Sequence, residues 1–394
     1  MQAKNCNDMN INYSRLGNSN IMKRFLALFC ITVWSAFAAC GGVGSKMVHP
    51  GMSHSRADLR EVRKNVKSGE EPWRSAWKEL QESKYASLDY VAKPRSHVAR
   101  GPYNKPDIGG NDFMDDGRAA YTMMLQWLVE KDDAYAEKAI EIIDAWSCKL
   151  DSVTMGDRKL LIGMGGTQYL NAAEILRHVY KKWDRDGIAA FERMILEVWY
   201  PVIEDFQPTY NGNWDAAICR TMMCIGIFTD RRDIFERAYR HLLEGDSNGA
   251  IDNYFYANGQ CQESGRDMGH TQMGLGFLAQ ACEIAYNQGY DLYSAYDNRL
   301  AAGFEYTAKY MLGEDVPYEQ YVDYRGKKIF GPEISSKGRG NFSPIYELPY
   351  RHYHDRMGLE MPYTKRAVAK SRPEGSSRMF MSWATLMNAG ATER

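Results

Sequence analysis

The sequence has no excess of charge of either sign. Its 49 Lys and Arg residues are balanced by 50 Asp and Glu residues, which leaves a formal net charge of −1 at pH 7. A protein that holds nucleic acid through the phosphates needs a basic field, and this composition supplies none overall. An acidic ligand would therefore have to be bound by a local cluster of donor groups.

Cysteine is scarce, and its spacing supports neither a disulfide framework nor a metal site. Five cysteines follow Cys40, namely Cys148, Cys219, Cys224, Cys261 and Cys282. An odd number disfavours complete pairing, and there is no CxxC pair and no His/Cys cluster with zinc-ligand spacing. We therefore expect buried thiols, no metal and no cofactor.

The apolar run near the amino terminus is too short to cross a bilayer comfortably. It extends from Phe25 to Ala39, follows Lys23-Arg24 and ends at Cys40, which is the pattern of an export signal. We therefore expect the natural protein to start at Met22, with residues 1–21 as an upstream extension. The segment Phe37–Gly41 resembles a lipobox, so we expect cleavage before Cys40, membrane attachment through its lipid, and a periplasmic or outer-membrane-anchored lipoprotein of a Gram-negative bacterium. Plain secretion is the alternative.

Strand-like alternation is also scarce, and helical periodicity dominates. Tyr135, Ala139, Ile142, Ile143 and Trp146 fall on one helix face, whereas only residues 251–256 hint at a short strand or hairpin. The helices come in pairs, and one member of each pair follows a Gly/Asn-rich loop. This organisation predicts an all-α fold, an incomplete (α/α) toroid of helix hairpins with long cleft-lining loops. A helical solenoid is the competing arrangement.

No linker rich in Pro or Ser divides the chain. We therefore expect residues 1–40 to be an upstream extension with the export signal, and residues 41–394 to form a single domain.

The strongest functional segment begins where polar residues crowd the start of an apolar helix. Arg266 and His270 are four residues apart and share one helix face. Asp267 can hydrogen-bond the His270 ring, and a helix amino terminus disfavours the imidazolium. A single His is more often structural, but the neighbouring Arg266 and Glu263 favour a neutral catalytic base.

Three further segments contain polar side chains that could contact a substrate. Asn211 and Asn213 flank a glycine, where they suit both a helix cap and amide donors to a carboxylate. Residues 97–118 form a binding wall or a surface loop, and the irregular residues 318–342 form a lid or a tether. The substrate contacts expected outside the catalytic group are His97, Arg118, Gln168, Glu263, Arg339 and Tyr346.

At these residues the chain resembles a known family. The run from Gln262 to Leu275, together with residues 211–214, is similar to the alginate lyase superfamily of α/α-toroid enzymes, and more narrowly to polysaccharide lyase family 38. The resemblance extends over nearly the whole chain after the leader. It implies cleavage of alginate or glucuronan by β-elimination, with Asn211 or Asn213 neutralising the substrate carboxylate and with His270 and Arg266 at the conserved helix start.

The catalytic Tyr of related lyases has no direct counterpart here. Some relatives place it about one turn beyond the motif Arg, where this chain has His270 and then Met273. The acid/base Tyr must then come from elsewhere in the chain. Tyr324 in the irregular stretch is the first choice, and Tyr346 is the second.

The chemistry of elimination explains why these residue types are needed. The C5 proton of a uronate becomes acidic only when donors stabilise the developing enolate, after which a base removes the proton and an acid protonates the leaving oxygen. The expected partner is an acidic polysaccharide. The alternative enzyme is an inverting glycoside hydrolase on a similar α/α toroid, which would need two carboxylates beside the scissile bond, from Asp115, Asp116, Glu263 or Asp267. A glycan-binding lipoprotein would need exposed Trp platforms.

Overall fold

Helices form most of the structure, which is a computed structural model that describes residues 46–390. The helices are α1 Arg56–Ser68, α2 Trp73–Glu82, α3 Gly110–Glu130, α4 Asp133–Ser147, α5 Arg158–Ile175, α6 Arg185–Arg193, α7 Tyr200–Ile203, α8 Asn213–Phe228, α9 Arg232–Glu244, α10 Ile251–Tyr254, α11 Met268–Asn287, α12 Ala295–Met311, α13 Glu347–Tyr350, α14 Pro362–Ser371 and α15 Ala384–Asn388. π-helical turns continue α5 over Leu176–Tyr180, α6 over Met194–Trp199 and α13 over Arg351–Arg356.

Four helix hairpins, α3–α4, α5–α6, α8–α9 and α11–α12, form the body of the fold. The first helix of each pair is apolar on nearly all sides and buried, and α3, α5, α8 and α11 pack on one another in that order. Gly163 makes the α5–α8 approach close, because a Cβ there would lie 2.8 Å from the Ala217 backbone. The predicted all-α toroid of hairpins is confirmed.

The second helix of each hairpin is amphipathic and covers the outside. In α9, for example, Ile234, Phe235, Ala238 and Leu242 are buried, while the intervening charged residues face outward. An apolar stripe at this spacing is what a helix that packs on one side requires. The core therefore lies between the inner and outer helices.

The helices at the two ends of the described chain pack against each other. Helix α14 packs on α12, α13 packs on α15, and α15 contacts α1 and α2. The Trp383 indole N–H donates to Thr122 Oγ1 on α3 over 2.9 Å. No helix of residues 46–390 combines the length and apolarity that a membrane-crossing segment requires.

A small sheet, which the sequence did not predict, shapes the connection before α3. Its order is β2-β1-β3, with β1 His97–Arg100 antiparallel to β2 Asp107–Ile108 and parallel to β3 Ser152–Thr154. The predicted strand at 251–256 is instead the short helix α10, followed by one bridge between Phe255 and Cys261. Sheet pairing depends on residues far apart in sequence, which periodicity within one segment does not reveal.

Residues 47–390 belong to one compact unit. The predicted leader and Cys40 lie outside the described residues, so the boundary at residue 40 stays a prediction. Four of the five later cysteines are buried as expected, but Cys148 is exposed, and all five are free thiols.

Candidate active site

A cleft with a volume of about 560 Å³ opens where the inner helices begin. The first turns of α5, α8 and α11 form one wall, and the β1–β2 connection forms one rim. It is lined by Arg100, Pro102, Tyr103, Asn104, Gly156, Asp157, Leu160, Met164, Tyr210, Asn211, Asn213, Trp214, Arg266, His270, Met273 and Met379. Because three helix amino termini meet here, their dipoles favour an anionic ligand.

His270 lies on the cleft wall with one ring nitrogen already engaged. Asp267 caps α11 by accepting the His270 backbone N–H over 2.8 Å, and its carboxylate also lies 2.8 Å from His270 Nδ1. A carboxylate accepts a hydrogen bond, so Nδ1 carries the proton and Nε2 keeps its lone pair. Burial, followed by the charge of Arg266, lowers the pKa of His270 despite the opposing effect of Asp267. The ring is therefore a neutral base at pH 7.

Arg266 is held at the wall by a buried acid beneath it. Its Nη1 donates to Glu263 Oε1 over 2.9 Å, and the Tyr254 hydroxyl donates to Glu263 Oε2 over 2.7 Å. Burial raises the pKa of Glu263 to about 7, although Arg266 opposes this shift. Glu263 therefore holds Nη1 of the guanidinium, and Arg266 lines the cleft, where its other N–H groups can bind a ligand.

The two asparagines lie at the start of α8. Asn213 is 1% exposed and donates from Nδ2 to Met273 Sδ over 3.3 Å. Its Oδ1 is buried and has no hydrogen-bond partner among the described residues. A thioether is a weak acceptor, so a ligand carboxylate can compete for this amide N–H. Asn211 is half-buried on the same wall.

The rim is formed by part of the 97–118 segment, for which the sequence left a binding wall and a surface loop open. Arg100, Tyr103 and Asn104 enter the cleft because β1 and the following turn, Pro102–Asn104, pass over its edge. Burial lowers the pKa of Arg100. The charge of Asp157 opposes this shift, and Asp157 Oδ2 lies 4.0 Å from Arg100 Nε. The Arg100 Nε is also buried without a partner among the described residues. Arg100 is a second cation available to an acidic substrate.

Tyr210 is the phenol closest in sequence to the asparagine pair, and its ring packs edge-on against Trp214 with 5.0 Å between centroids. It lines the cleft and is 50% exposed. Tyr324 is not among the residues that line the cleft, and it is connected to the Tyr210 loop through Asn248. The Tyr324 backbone N–H contacts the side chain of Asn248, which in turn donates to the Tyr210 carbonyl over 2.9 Å.

Three of the predicted substrate contacts lie in the protein interior instead of the cleft. Tyr346 is fully buried and donates to Gln272 Oε1 over 2.9 Å, and burial raises its pKa. Gln168 is buried and donates to the Ser377 carbonyl over 3.0 Å. Glu263 supports Arg266 from below. Sequence spacing alone does not separate such supporting side chains from the ones that reach the surface.

The other three are also outside the cleft. Arg118 is buried against Asp115 and Tyr85. Arg339 donates to the carbonyls of Tyr310 and Glu314, and so fastens the irregular stretch beside the site. His97 contacts Thr154 and lies in a separate surface groove.

The carboxylates that a hydrolase would need are not paired across the cleft. Asp115 is held by Arg378, and Asp116 is buried with Tyr90 and Trp146. Among the described residues that line the cleft, Asp157 is the sole carboxylate.

An α/α toroid whose inner helices open on a polar, cationic cleft is one of the architectures of polysaccharide lyases. The chain belongs to the alginate lyase family, since the family model described as alginate lyase matches residues 63–316, more than half of the chain. No curated protein matches the sequence significantly.

Solved structures share the fold at low sequence identity. An alginate lyase from Bacteroides ovatus has a TM-score of 0.58 and 16% identity, with 87% of this chain and 100% of that chain covered. Alginate lyase A1-III from Sphingomonas species A1 has a TM-score of 0.65 and 12% identity, and the match covers 89% of this chain and 100% of that chain. A histidine-to-alanine variant of A1-III complexed with a tetrasaccharide has a TM-score of 0.61 and 12% identity. The match covers 85% of this chain and 95% of that chain.

Proposed function

We propose that this protein depolymerises a uronic-acid polymer of the alginate or glucuronan type by β-elimination at the cleft. The observation that carries the proposal is His270, a neutral imidazole oriented by Asp267 on a wall that also presents amide and guanidinium donors. Such a site supplies a base beside an anion-binding surface, which is the pairing that removal of a proton α to a carboxylate requires.

The first step is neutralisation of the substrate carboxylate. The amides of Asn211 and Asn213 approach from the start of α8, and the Arg266 guanidinium approaches from the start of α11. Donors placed where negative charge develops stabilise the enolate more than the ground state. The helix dipoles add to this effect because they cost no reorganisation during the reaction.

The second step transfers two protons. His270 Nε2 takes the C5 proton, the C5–H electron pair forms the C4=C5 double bond, and the C4–O bond breaks. The departing glycosidic oxygen then needs a proton. We assign that donor role to Tyr210 because its ring lies on the cleft wall, and Tyr324 is the alternative. Neither step calls for a metal or a cofactor.

The carboxylate arrangement favours elimination over hydrolysis. An inverting or retaining glycosidase places two carboxylates on opposite sides of the scissile bond. Asp157 alone lines this cleft within residues 46–390, and its nearest cationic partner is Arg100. The A1-III complexes with tetrasaccharide further support an extended sugar chain as the occupant of such a cleft.

The test is an absorbance assay on purified protein with polymannuronate, polyguluronate and glucuronan. Elimination creates a C4=C5 double bond that absorbs ultraviolet light, whereas hydrolysis creates none. We expect absorbance to rise with at least one of the polymers, and the same rate from a His97→Ala control, since His97 lies in another groove. New reducing ends without absorbance would identify a hydrolase and overturn the proposal.

We also propose that the protein acts after export, attached to a membrane through a lipid on Cys40. The support is the order of a basic pair, an apolar run and a lipobox-like segment before that cysteine. Large anionic polymers do not cross membranes unaided, so an external location suits this substrate.

A further inference from the structure

Three side chains with metal-binding atoms meet at the end of α5 that lies away from the cleft. Glu174 and His178 are four residues apart, on α5 and its π-helical continuation, and His49 comes from the segment that precedes α1. Leu160 in the cleft is about 20 Å from Glu174 along the helix, given a rise of about 1.5 Å per residue. The cluster is therefore separate from the candidate active site.

The donor atoms are spaced as ligands of one small cation. One donor atom from each of the three residues lies within 4.8 Å of the other two. Glu174 Oε1 is 2.8 Å from His49 Nδ1, and Glu174 Oε2 is 3.7 Å from His178 Nε2. In a tetrahedral zinc site the ligand atoms are roughly 3.3 Å apart, as bonds of about 2.0 Å dictate. The His49 and His178 rings are stacked, with 4.1 Å between their centroids and 10° between their planes, so binding one ion requires rotation of a ring as well as small shifts of the donor atoms.

Two of these atoms are buried without a hydrogen-bond partner among the described residues. They are Glu174 Oε2 and His178 Nε2, and the Glu174 side chain is only 2% exposed. An unpaired buried carboxylate oxygen facing an unpaired imidazole nitrogen is costly. A cation between them would satisfy both atoms at once.

The surroundings of His49 also fit a metal ligand. With Nδ1 directed at the cluster, its Nε2 lies 3.2 Å from Asp230 Oδ1. Histidines that bind metals commonly donate their other ring N–H to a carboxylate, which fixes the tautomer and increases ligand basicity. Asp230 occupies that supporting position here.

We propose that His49, Glu174 and His178 bind a divalent transition-metal ion of the zinc class, with Asp230 orienting His49. Two imidazoles and one carboxylate form a mixed nitrogen and oxygen set that suits zinc better than calcium or magnesium, which prefer oxygen ligands. The ion joins the segment before α1 to the far end of α5. Its role is structural, because the distance to the cleft leaves no path for it to act on the sugar.

The test uses the untagged full-length protein, so that no affinity tag contributes histidines. The metal content is measured by mass spectrometry, and the chelator-treated protein is then titrated with zinc alone and followed by thermal melting. We expect about one ion per chain and a rise in Tm of about 4 °C when free zinc is a hundredfold above Kd. Lyase turnover below the melting range should be unchanged by chelator.

Glu174→Gln and His178→Gln should abolish both the bound ion and the zinc-dependent rise in Tm, while His97→Gln keeps them. If the two ligand variants fail to fold, Asp230→Asn provides the test. Asp230 is 53% exposed, so its replacement should be tolerated, and it should weaken zinc affinity about 10- to 100-fold. An unchanged Tm on adding zinc to the wild type, or wild-type zinc affinity in the folded variants, would refute the site. Because metal binding is measured without substrate, failure here leaves the proposed lyase activity untouched.

Discussion

Replacing Asp267 by Asn separates the two roles that this residue has at the start of α11. The side chain caps the helix through the His270 backbone N–H and also holds His270 Nδ1. Asn is as good a helix cap as Asp, so the fold should be retained within about 0.5 kcal/mol. The carboxylate charge that supports a developing imidazolium is lost.

The expected cost follows from the hydrogen bond between Asp267 and His270. A charge-assisted bond contributes about 1.5–3 kcal/mol, and a neutral one about 0.5–1.5 kcal/mol. The difference of roughly 1–1.5 kcal/mol appears in the barrier, because His270 becomes positively charged as it takes the proton. Turnover should fall about tenfold, and further if the carboxamide selects the other tautomer.

The pH profile gives the test a second, independent readout. Asp267 raises the pKa of His270 against the effects of burial and Arg266. The rate rises with pH as the imidazole loses its proton, so removing Asp267 should move the acidic limb to lower pH while the plateau falls. The assay is initial ultraviolet absorbance from the preferred polymer across pH, with thermal melting alongside.

Asp267→Ala is the matched control, because it removes the cap as well and should cost a further ~1 kcal/mol of stability. A folded Asp267→Asn protein that keeps wild-type turnover and an unshifted acidic limb would contradict this role of Asp267. His270 would then not depend on this carboxylate and would not be the oriented base.

Other predictions concern the acid, the stability and the location of the protein. Tyr210→Phe should lower turnover about a hundredfold or more with little change in Tm, whereas Tyr324→Phe should stay active, and the reverse pattern would transfer the role to Tyr324. Burial and the neighbouring Glu347 raise the pKa of Glu374. The folded protein therefore keeps a proton on Glu374 that the unfolded chain releases. As a result, the free energy of unfolding should fall as pH rises above about 4.5. In urea titrations across pH, the free energy of unfolding of Glu374→Gln should fall less than that of the wild type. The same pH dependence in both proteins would contradict this. Cys40→Ala should release the protein from membranes into the soluble periplasmic fraction, and an already soluble, unlipidated wild type would favour plain secretion.

The central part of the site was predictable from sequence because its signals are local. Four-residue spacing puts Arg266 and His270 on one face, and the glycine between Asn211 and Asn213 indicates a helix start. The hairpin pattern predicts parallel inner helices, and parallel helices bring their amino termini to one end. These four residues therefore line a single cleft.

The rest of the site depends on long-range packing. Arg100 and Tyr103 reach the rim only because β1 pairs with β3, about fifty residues later in the chain. Tyr324 lies in a stretch without periodicity, so nothing local indicated which way it faces. The Glu-x-x-x-His spacing of Glu174 and His178 is visible in the sequence. His49, the third member of the cluster, is 125 residues from Glu174, so no local pattern connects it to the other two.

The most direct test of the lyase account is the turnover of His270→Ala on whichever uronan the wild type cleaves. The measurement is the rate of C4=C5 double-bond formation, with circular dichroism and Tm confirming that the variant is folded. Loss of the general base should lower turnover about a hundredfold or more. A folded His270→Ala protein that forms unsaturated products at close to the wild-type rate would show that the reaction takes place without this imidazole.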